Sequence, residues 1–126
     1  MNYFTEDDLI AFYEATIGPA VLRYRDGLAS AVGRPGQSVF GEDAYPTLAL
    51  KAAALMQSLA QNQPFVDGNK RIAWICGKLM LQLNRLTIRA TDEEALDPFA
   101  NRIARGMSVE ELGAWIEHHA SPYEPS

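Results

Sequence analysis

Cysteine is nearly missing from this chain. Cys76 stands alone among 126 residues, which excludes an internal disulfide framework. The only two histidines are adjacent, His118 and His119, so no Cys/His spacing of a structural zinc site is present. A reducing cytoplasm is the expected location. Long apolar runs are also missing: none reaches membrane-spanning length, and no basic N-terminal segment leads into an apolar stretch as a secretion signal does. Positive charge is scarce, with 11 Lys and Arg against 16 Asp and Glu and a formal net charge of -5. Bulk attraction to nucleic acid or to an anionic membrane is therefore not expected, and any anion site must be local. Repeats, linkers and low-complexity blocks are lacking as well. What is there, 48% hydrophobic and 21% charged residues, suits one compact soluble domain over residues 1–126, with 121–126 expected as a frayed tail.

Helical signals dominate. Thr5 offers an N-cap oxygen ahead of Glu6, Asp7 and Asp8, and Leu9, Phe12, Tyr13 and Ile17 recur at helical spacing up to Gly18-Pro19. Asp26 is placed to cap a short helix through Leu28 and Val32, closed by Gly33, Arg34 and Pro35. Gly36 to Thr47, with two glycines and a proline around Val39 and Phe40, predicts a loop or short hairpin. Thr47 then caps a helix with Leu48, Ala52, Leu55, Met56 and Leu59 on one face, stopped by "QNQP". After Gly68, "IAWICGKLMLQL" is apolar on nearly every side except Lys78 and Gln82, the pattern of a central buried helix. "RLTIRAT" extends briefly, and Asp92 to Arg105 resumes a helical pattern with Leu96, Phe99, Ile103 and Ala104 inward, ended by Gly106. Ser108 and Glu111 have capping-box spacing for a last helix through Leu112, Trp115 and Ile116.

Between the two longest apolar helices lies "QPFVDGNKR", Gln63 to Arg71. A loop that ends in Gly68 and feeds a helix near Asn69 aims unpaired backbone N–H groups and the positive helix end at one point, which suits phosphate oxygens. Gly68 lets the backbone come close, Lys70 and Arg71 add charge, and Asp67 supplies a hard oxygen able to hold Mg²⁺ against the same phosphates. Pro64 and Phe65 have structural roles, one stiffening the turn and the other plugging the loop into the core. The plainer alternative is that Asp67 caps the helix, Asn69 closes a turn, and Lys70 and Arg71 lie solvated. Against it, two cations in a first helical turn oppose the helix dipole unless an anion offsets them.

The segment resembles the motif His-x-Phe-x-(Asp/Glu)-(Gly/Ala)-Asn-(Lys/Gly)-Arg of the Fic/Doc family, and matches every fixed position but the first. Lys70, where adenylylating Fic enzymes usually carry glycine, makes the chain similar to the Doc (death on curing) branch of toxin–antitoxin modules. "RYRDGLASAVGRP" and "FGEDAYPTLALKAAALMQSLAQN" resemble Doc proteins as well. The resemblance implies an all-α fold, a compact Fic/Doc helical bundle with a loop or short hairpin as flap. It implies phosphate transfer from ATP, with Mg²⁺, to a threonine of elongation factor Tu, blocking translation. Asp67 would orient Mg²⁺ and phosphate, and Gly68, Asn69, Lys70 and Arg71 would form the anion cradle. The flap, Gly36 to Thr47, would dock an extended target segment through backbone pairing, although its Val39 and Phe40 also suit satellite core positions.

Gln63 is the departure. The family's histidine at this position is a general base whose pKa near neutrality suits it to take the target hydroxyl's proton. A neutral amide can orient a hydroxyl but accepts no proton near pH 7, and losing a positioned base typically costs about 10²–10⁴-fold in rate. The exchange keeps the shape of the fold, so a disarmed toxin and a non-catalytic Fic-fold binding module both fit. The intact run from Asp67 to Arg71 favours the first. A Fic-type adenylyltransferase and a scaffold that only binds a peptide helix are the further alternatives.

By the same resemblance, restraint would come from a cognate antitoxin whose C-terminal segment folds as an amphipathic helix into a groove. The weakly periodic first helix and the aromatics Tyr3, Phe4 and Tyr24 suit its lining, and equally suit covering their own core. The self-inhibitory Ser/Thr-x-x-x-Glu-Gly/Asn motif of some Fic proteins has no clear counterpart. Ser38 to Asp43 comes nearest, but ends in aspartate within the flap. Other residues are assigned to structure. His118 and His119 complement the dipole at a helix end rather than pair on a metal, Cys76 is a buried thiol, Trp74 and Trp115 pack, and Arg34 is a helix-end residue or a phosphate or partner contact.

Overall fold

The computed structural model describes residues 3–89, 102–103 and 105–124. Helices carry the fold: α1 (Glu6–Thr16), α2 (Arg25–Gly33) with a 3₁₀ turn at Arg34–Gly36, α3 (Leu48–Asn62), α4 (Asn69–Leu83) and α5 (Val109–His119). Two small antiparallel pairs accompany them. Strands β1 (Ser38–Val39) and β2 (Glu42–Asp43) form a hairpin, and β3 (Leu86–Ile88) pairs with β4 (Ala120–Pro122). The all-α expectation holds, and the segment from Gly36 to Thr47 contains the hairpin.

Capping follows the sequence in most places. Thr5 accepts from the N–H of Asp8, whose carboxylate accepts from the N–H of Thr5 in return, a reciprocal box in which aspartate replaces the usual glutamate. Thr47 accepts from the N–H of Leu50, and Ser108 from that of Glu111. Asp26 does not cap α2: the helix begins at Arg25, two residues earlier than such a cap requires, behind a Tyr24 that makes no side-chain cap. Asp26 instead sits in the first turn, where its charge still complements the dipole.

The centre is shared by two helices rather than held by α4 alone. Helix α3 is buried almost all round, from Ala49 through Leu59, and packs against α2, α4 and α5. Its alanines make this possible by letting neighbours approach closely. On α4, a Cβ at Gly77 would stand 2.2 Å from the Met56 sulfur, so the Met56 side chain occupies the space that this glycine leaves. Leu55, Met56, Leu59, Phe65, Ile72, Trp74, Leu81, Leu112 and Ile116 form the core between them.

The helix expected over Asp92 to Arg105 lies mostly outside the described residues. Of it, Arg102 and Ile103 are helical, Ile103 is buried, and Gly106 has the left-handed φ of +90° expected of a helix stop. The tail departs from expectation. Ser121 and Pro122 do not fray but pair with Thr87 and Leu86 as part of β4, and the N–H of Tyr123 donates to the carbonyl of Arg85. The end of α5 delivers this segment to the open edge of β3.

Candidate functional site

Helix α3 ends in Gln63, a C-cap residue in the left-handed region at φ 49°. From there the chain turns out through Pro64–Gly68 and re-enters as α4. Four sets of contacts fix this loop. Its outer strand pairs with Val21–Tyr24: the carbonyl of Pro64 accepts from the N–H groups of Arg23 and Tyr24, and the N–H of Val66 donates to Val21. Phe65 is fully buried and stacks under Tyr13 of α1, with centroids 4.3 Å apart, as its sequence role predicted. The Tyr13 hydroxyl donates to the carbonyl of Asp67 at 2.9 Å. Finally, the Asn69 amide reaches back and grips Phe65 at both backbone groups, accepting from its N–H and donating to its carbonyl, each at 2.9 Å.

That last clamp separates two meanings of Asn69. Its side chain is committed to shaping the loop, which leaves one Nδ2 hydrogen and the backbone N–H for an anion. The residues around it remain open. Gly68, the N-cap of α4, has φ 75° and no side chain to close the helix end; its N–H donates to the Asp67 carboxylate at 2.8 Å. The N–H groups of Asn69, Lys70 and Arg71 have no acceptor among the described residues, and the first intrahelical bond runs from Ile72 to the carbonyl of Gly68. Lys70 and Arg71 are exposed and make no hydrogen bond or ion pair among the described residues. Three free donors, a positive helix end and two uncommitted cations therefore occupy one turn.

Asp67 and Gln63 are both exposed. One Asp67 oxygen holds the Gly68 N–H, which leaves carboxylate lone pairs free. A single carboxylate beside phosphate oxygens is enough for Mg²⁺, which keeps much of its water shell. Gln63 is held by Arg23, whose Nη2 donates to the Gln63 backbone carbonyl at 3.0 Å and to its side-chain oxygen at 3.2 Å. With the amide oxygen engaged, Gln63 presents its NH₂, a donor, to the surroundings.

Arg23 and Tyr13 escaped the sequence reading because each reaches the loop from 40 or more positions upstream. The one usable signal was Tyr13 on the inward face of α1, which marked it as buried without marking its hydroxyl. Arg34, expected as a helix-end residue or a phosphate or partner contact, caps the end of α2 and is held by the protein's own side chains. Its guanidinium donates to the Tyr45 hydroxyl, to the Gln57 side-chain oxygen and to Ser58 Oγ at 2.7–2.9 Å, joining the 3₁₀ turn to α3.

Between β1 and β2 the turn residues Phe40 and Gly41 both have positive φ, 54° and 81°, in a two-residue connection that pairs Val39 with Glu42. This is the primed turn whose twist suits a hairpin, and phenylalanine is an unfavourable occupant of it. Phe40 is completely exposed and Val39 is 56% exposed, so neither is a satellite core residue. Of the aromatic residues proposed for a groove, Tyr3 and Tyr24 are exposed, but Phe4 is buried and packs edge-on against Phe12. The Cys76 thiol is buried, and desolvation pushes its pKa up. His119 stacks on Trp115 and donates from Nδ1 to its carbonyl, while Trp115 meets Trp74 edge-to-face.

Known proteins resemble this chain over most of its length. The sequence pattern of the family described as Fic/DOC matches residues 3–81, a span that runs from α1 through the loop and most of α4. Over 124 residues, 95% of each chain, the sequence is 40% identical to a protein of Mycolicibacterium smegmatis (strain ATCC 700084 / mc(2)155) named Toxin Doc.

Proposed function

This chain belongs to the Fic/Doc family, and from that premise we infer that it is a Doc-type toxin with a nucleotide site at the start of α4. In this reading the site binds ATP with Mg²⁺ and directs phosphate to a threonine of elongation factor Tu, at a rate held down by Gln63. The supporting observation is the first turn of α4, where three N–H groups and two cations have no partner in the protein among the described residues. Two cations in such a turn oppose the helix dipole, and a bound anion offsets them.

Each residue then has a task. The N–H groups of Asn69, Lys70 and Arg71 bind phosphate oxygens along the helix axis, with Arg71 as a fork and Lys70 as a point charge. Asp67 holds Mg²⁺, whose charge, when bound, offsets that of the phosphates. Asn69 and Tyr13 keep the loop in the shape that points these groups outward. Phosphoryl transfer requires mainly positioning and charge stabilisation, and this loop supplies both. What it does not supply is a base. The Gln63 oxygen is engaged by Arg23 and its NH₂ can only donate, so the proton of an incoming hydroxyl has no acceptor at this position. The hairpin, with its exposed Val39 and Phe40, suits the docking of an extended target segment by strand addition. Exposed Tyr3 and Tyr24 suit the C-terminal helix of a cognate antitoxin, in a cytoplasmic toxin–antitoxin pair.

The engagement of the amide oxygen also favours a second reading, a chain that retains binding without transfer. One experiment separates them. Calorimetry with Mg-ATP tests the site, and transfer of labelled phosphate to elongation factor Tu is compared for the parent and Gln63→His. Binding by both, with transfer raised about 10²–10⁴-fold by the histidine, is expected of a weakened toxin. Binding without transfer in either protein supports the pure binder. Absence of nucleotide binding, or Lys70→Ala binding as well as the parent, removes the nucleotide site.

A further inference from the structure

Lys51, in the first turn of α3, is the one buried cation among the described residues, 3% exposed on a helix whose other buried residues are mostly Ala and Leu. Burying an ammonium is unfavourable unless it is paired and hydrogen-bonded. Its Nζ donates to the Asp43 carboxylate of β2 at 3.2 Å and to the carbonyl of Pro35 in the 3₁₀ turn at 3.3 Å. The Tyr3 ring covers it, with its centroid 5.7 Å from the ammonium. The three partners come from the hairpin itself, from the 3₁₀ turn before it and from the N-terminal stretch of the chain.

The hairpin itself has little else to hold it. Every residue of β1 and β2 is exposed, and so are Phe40 and Gly41 between them. No side chain of the hairpin enters the core. Among the described residues, the Asp43 carboxylate is the only group between Ser38 and Asp43 that hydrogen-bonds to the helical body. The bond between the N–H of Ala44 and the carbonyl of Gln37 closes the hairpin's base but stays within the segment.

We propose that Lys51 is a positioning residue that sets the angle of the β1–β2 hairpin through Asp43, and thereby the docking of the protein target. The role in docking rests on the toxin reading above, whereas the pinning of the hairpin does not. Lys51 touches no reacting group. It acts through Asp43, so its loss should weaken use of the protein target while leaving the nucleotide site alone.

Two variants release the hairpin in different ways. Asp43→Ala removes the partly exposed carboxylate, acceptor and charge together, and leaves the ammonium in place. Lys51→Met replaces the cation with an apolar chain of similar length, a change that buried sites often tolerate, and leaves Asp43 to solvent. A nitroxide on Phe40→Cys reports hairpin motion, and buried Cys76 escapes the label. Both variants are expected to give a narrower, more mobile nitroxide spectrum than the parent. Their affinity for elongation factor Tu should be about tenfold weaker and their Mg-ATP affinity should change by less than about twofold. Asp43→Glu, which keeps the charge, should restore most of the loss. An unchanged nitroxide spectrum in both variants overturns the proposal. So does a mobile hairpin with unaltered target affinity. If the parent itself does not bind elongation factor Tu, the target reading fails and the nitroxide result alone decides whether Lys51 holds the hairpin.

Discussion

Gly68 has two reasons to be glycine, and they act on different quantities. Its φ of 75° lies where an L side chain is strained, and an added Cβ would stand 3.3 Å from the Tyr13 ring and hydroxyl. Gly68→Ala is therefore expected to lower stability by about 1–2 kcal/mol, read from urea unfolding. It should also weaken Mg-ATP binding, because relief comes by pushing Tyr13 off the carbonyl of Asp67. A stable variant with parental affinity would show that the turn has room to spare. Cys76 is a residue of the opposite kind, conspicuous in the sequence only for being alone. Its raised pKa means that the folded protein holds the thiol form, so its contribution to stability is present below the ordinary cysteine pKa and is lost as pH rises above it. At pH 8, alkylation of Cys76 should follow global opening and run on the order of 10³-fold slower than for an unfolded peptide. Rapid labelling of the native protein would place the thiol in a mobile region.

The loop from Gln63 to Gly68 shows how much of an element local sequence reveals. Gln63, Asp67, Gly68, Lys70 and Arg71 were legible because they are contiguous, and the helix-start logic that joins them needs no distant partner. Asn69 was legible as part of the motif but not in its direction. An amide suits a ligand and a turn equally, and only the closing of the loop brings Phe65 within its reach. Arg23 and Tyr13 were not legible as loop supports, since their contacts depend on how α1 and the segment after it lie across α4. The Asn69 clamp has a testable consequence. Asn69→Asp keeps the acceptor for the Phe65 N–H and places a negative charge in the first turn of α4, which favours the helix while opposing a bound phosphate. The lost bond from Nδ2 should limit the net change in stability to about 1 kcal/mol, yet Mg-ATP binding should fall at least about tenfold. Unfolding curves and calorimetry on the same protein check both. If affinity falls only in proportion to stability, the first turn is not where the anion sits.

At the scale of the whole molecule, the C-terminal residues matter in a way their composition hides. "SPYEPS" carries two prolines and no apolar alternation, and nothing local in it asks for a sheet. Its partner strand lies some thirty positions earlier, beyond the reach of any spacing rule. Yet β3 follows directly on α4 and β4 directly on α5, so their pairing joins the C-terminal ends of two helices that both pack on α3. Ending the chain at His119 would remove the β3–β4 bonds and the one from Tyr123 to Arg85, while keeping the bond from the Arg89 N–H to the carbonyl of His119. With each net bond contributing about 1 kcal/mol, the shortened protein should lose about 2–3 kcal/mol in urea unfolding. Its nucleotide site should be spared. Helix α4 has 15 residues, so at ~1.5 Å per residue its N-terminal turn stands about 22 Å from the end that the sheet secures. Mg-ATP affinity is therefore expected to stay within about twofold of the parent's at temperatures where the shortened protein is folded. A larger loss would mean that the position of α4 along α3, and with it the aim of Lys70 and Arg71, is set from its far end.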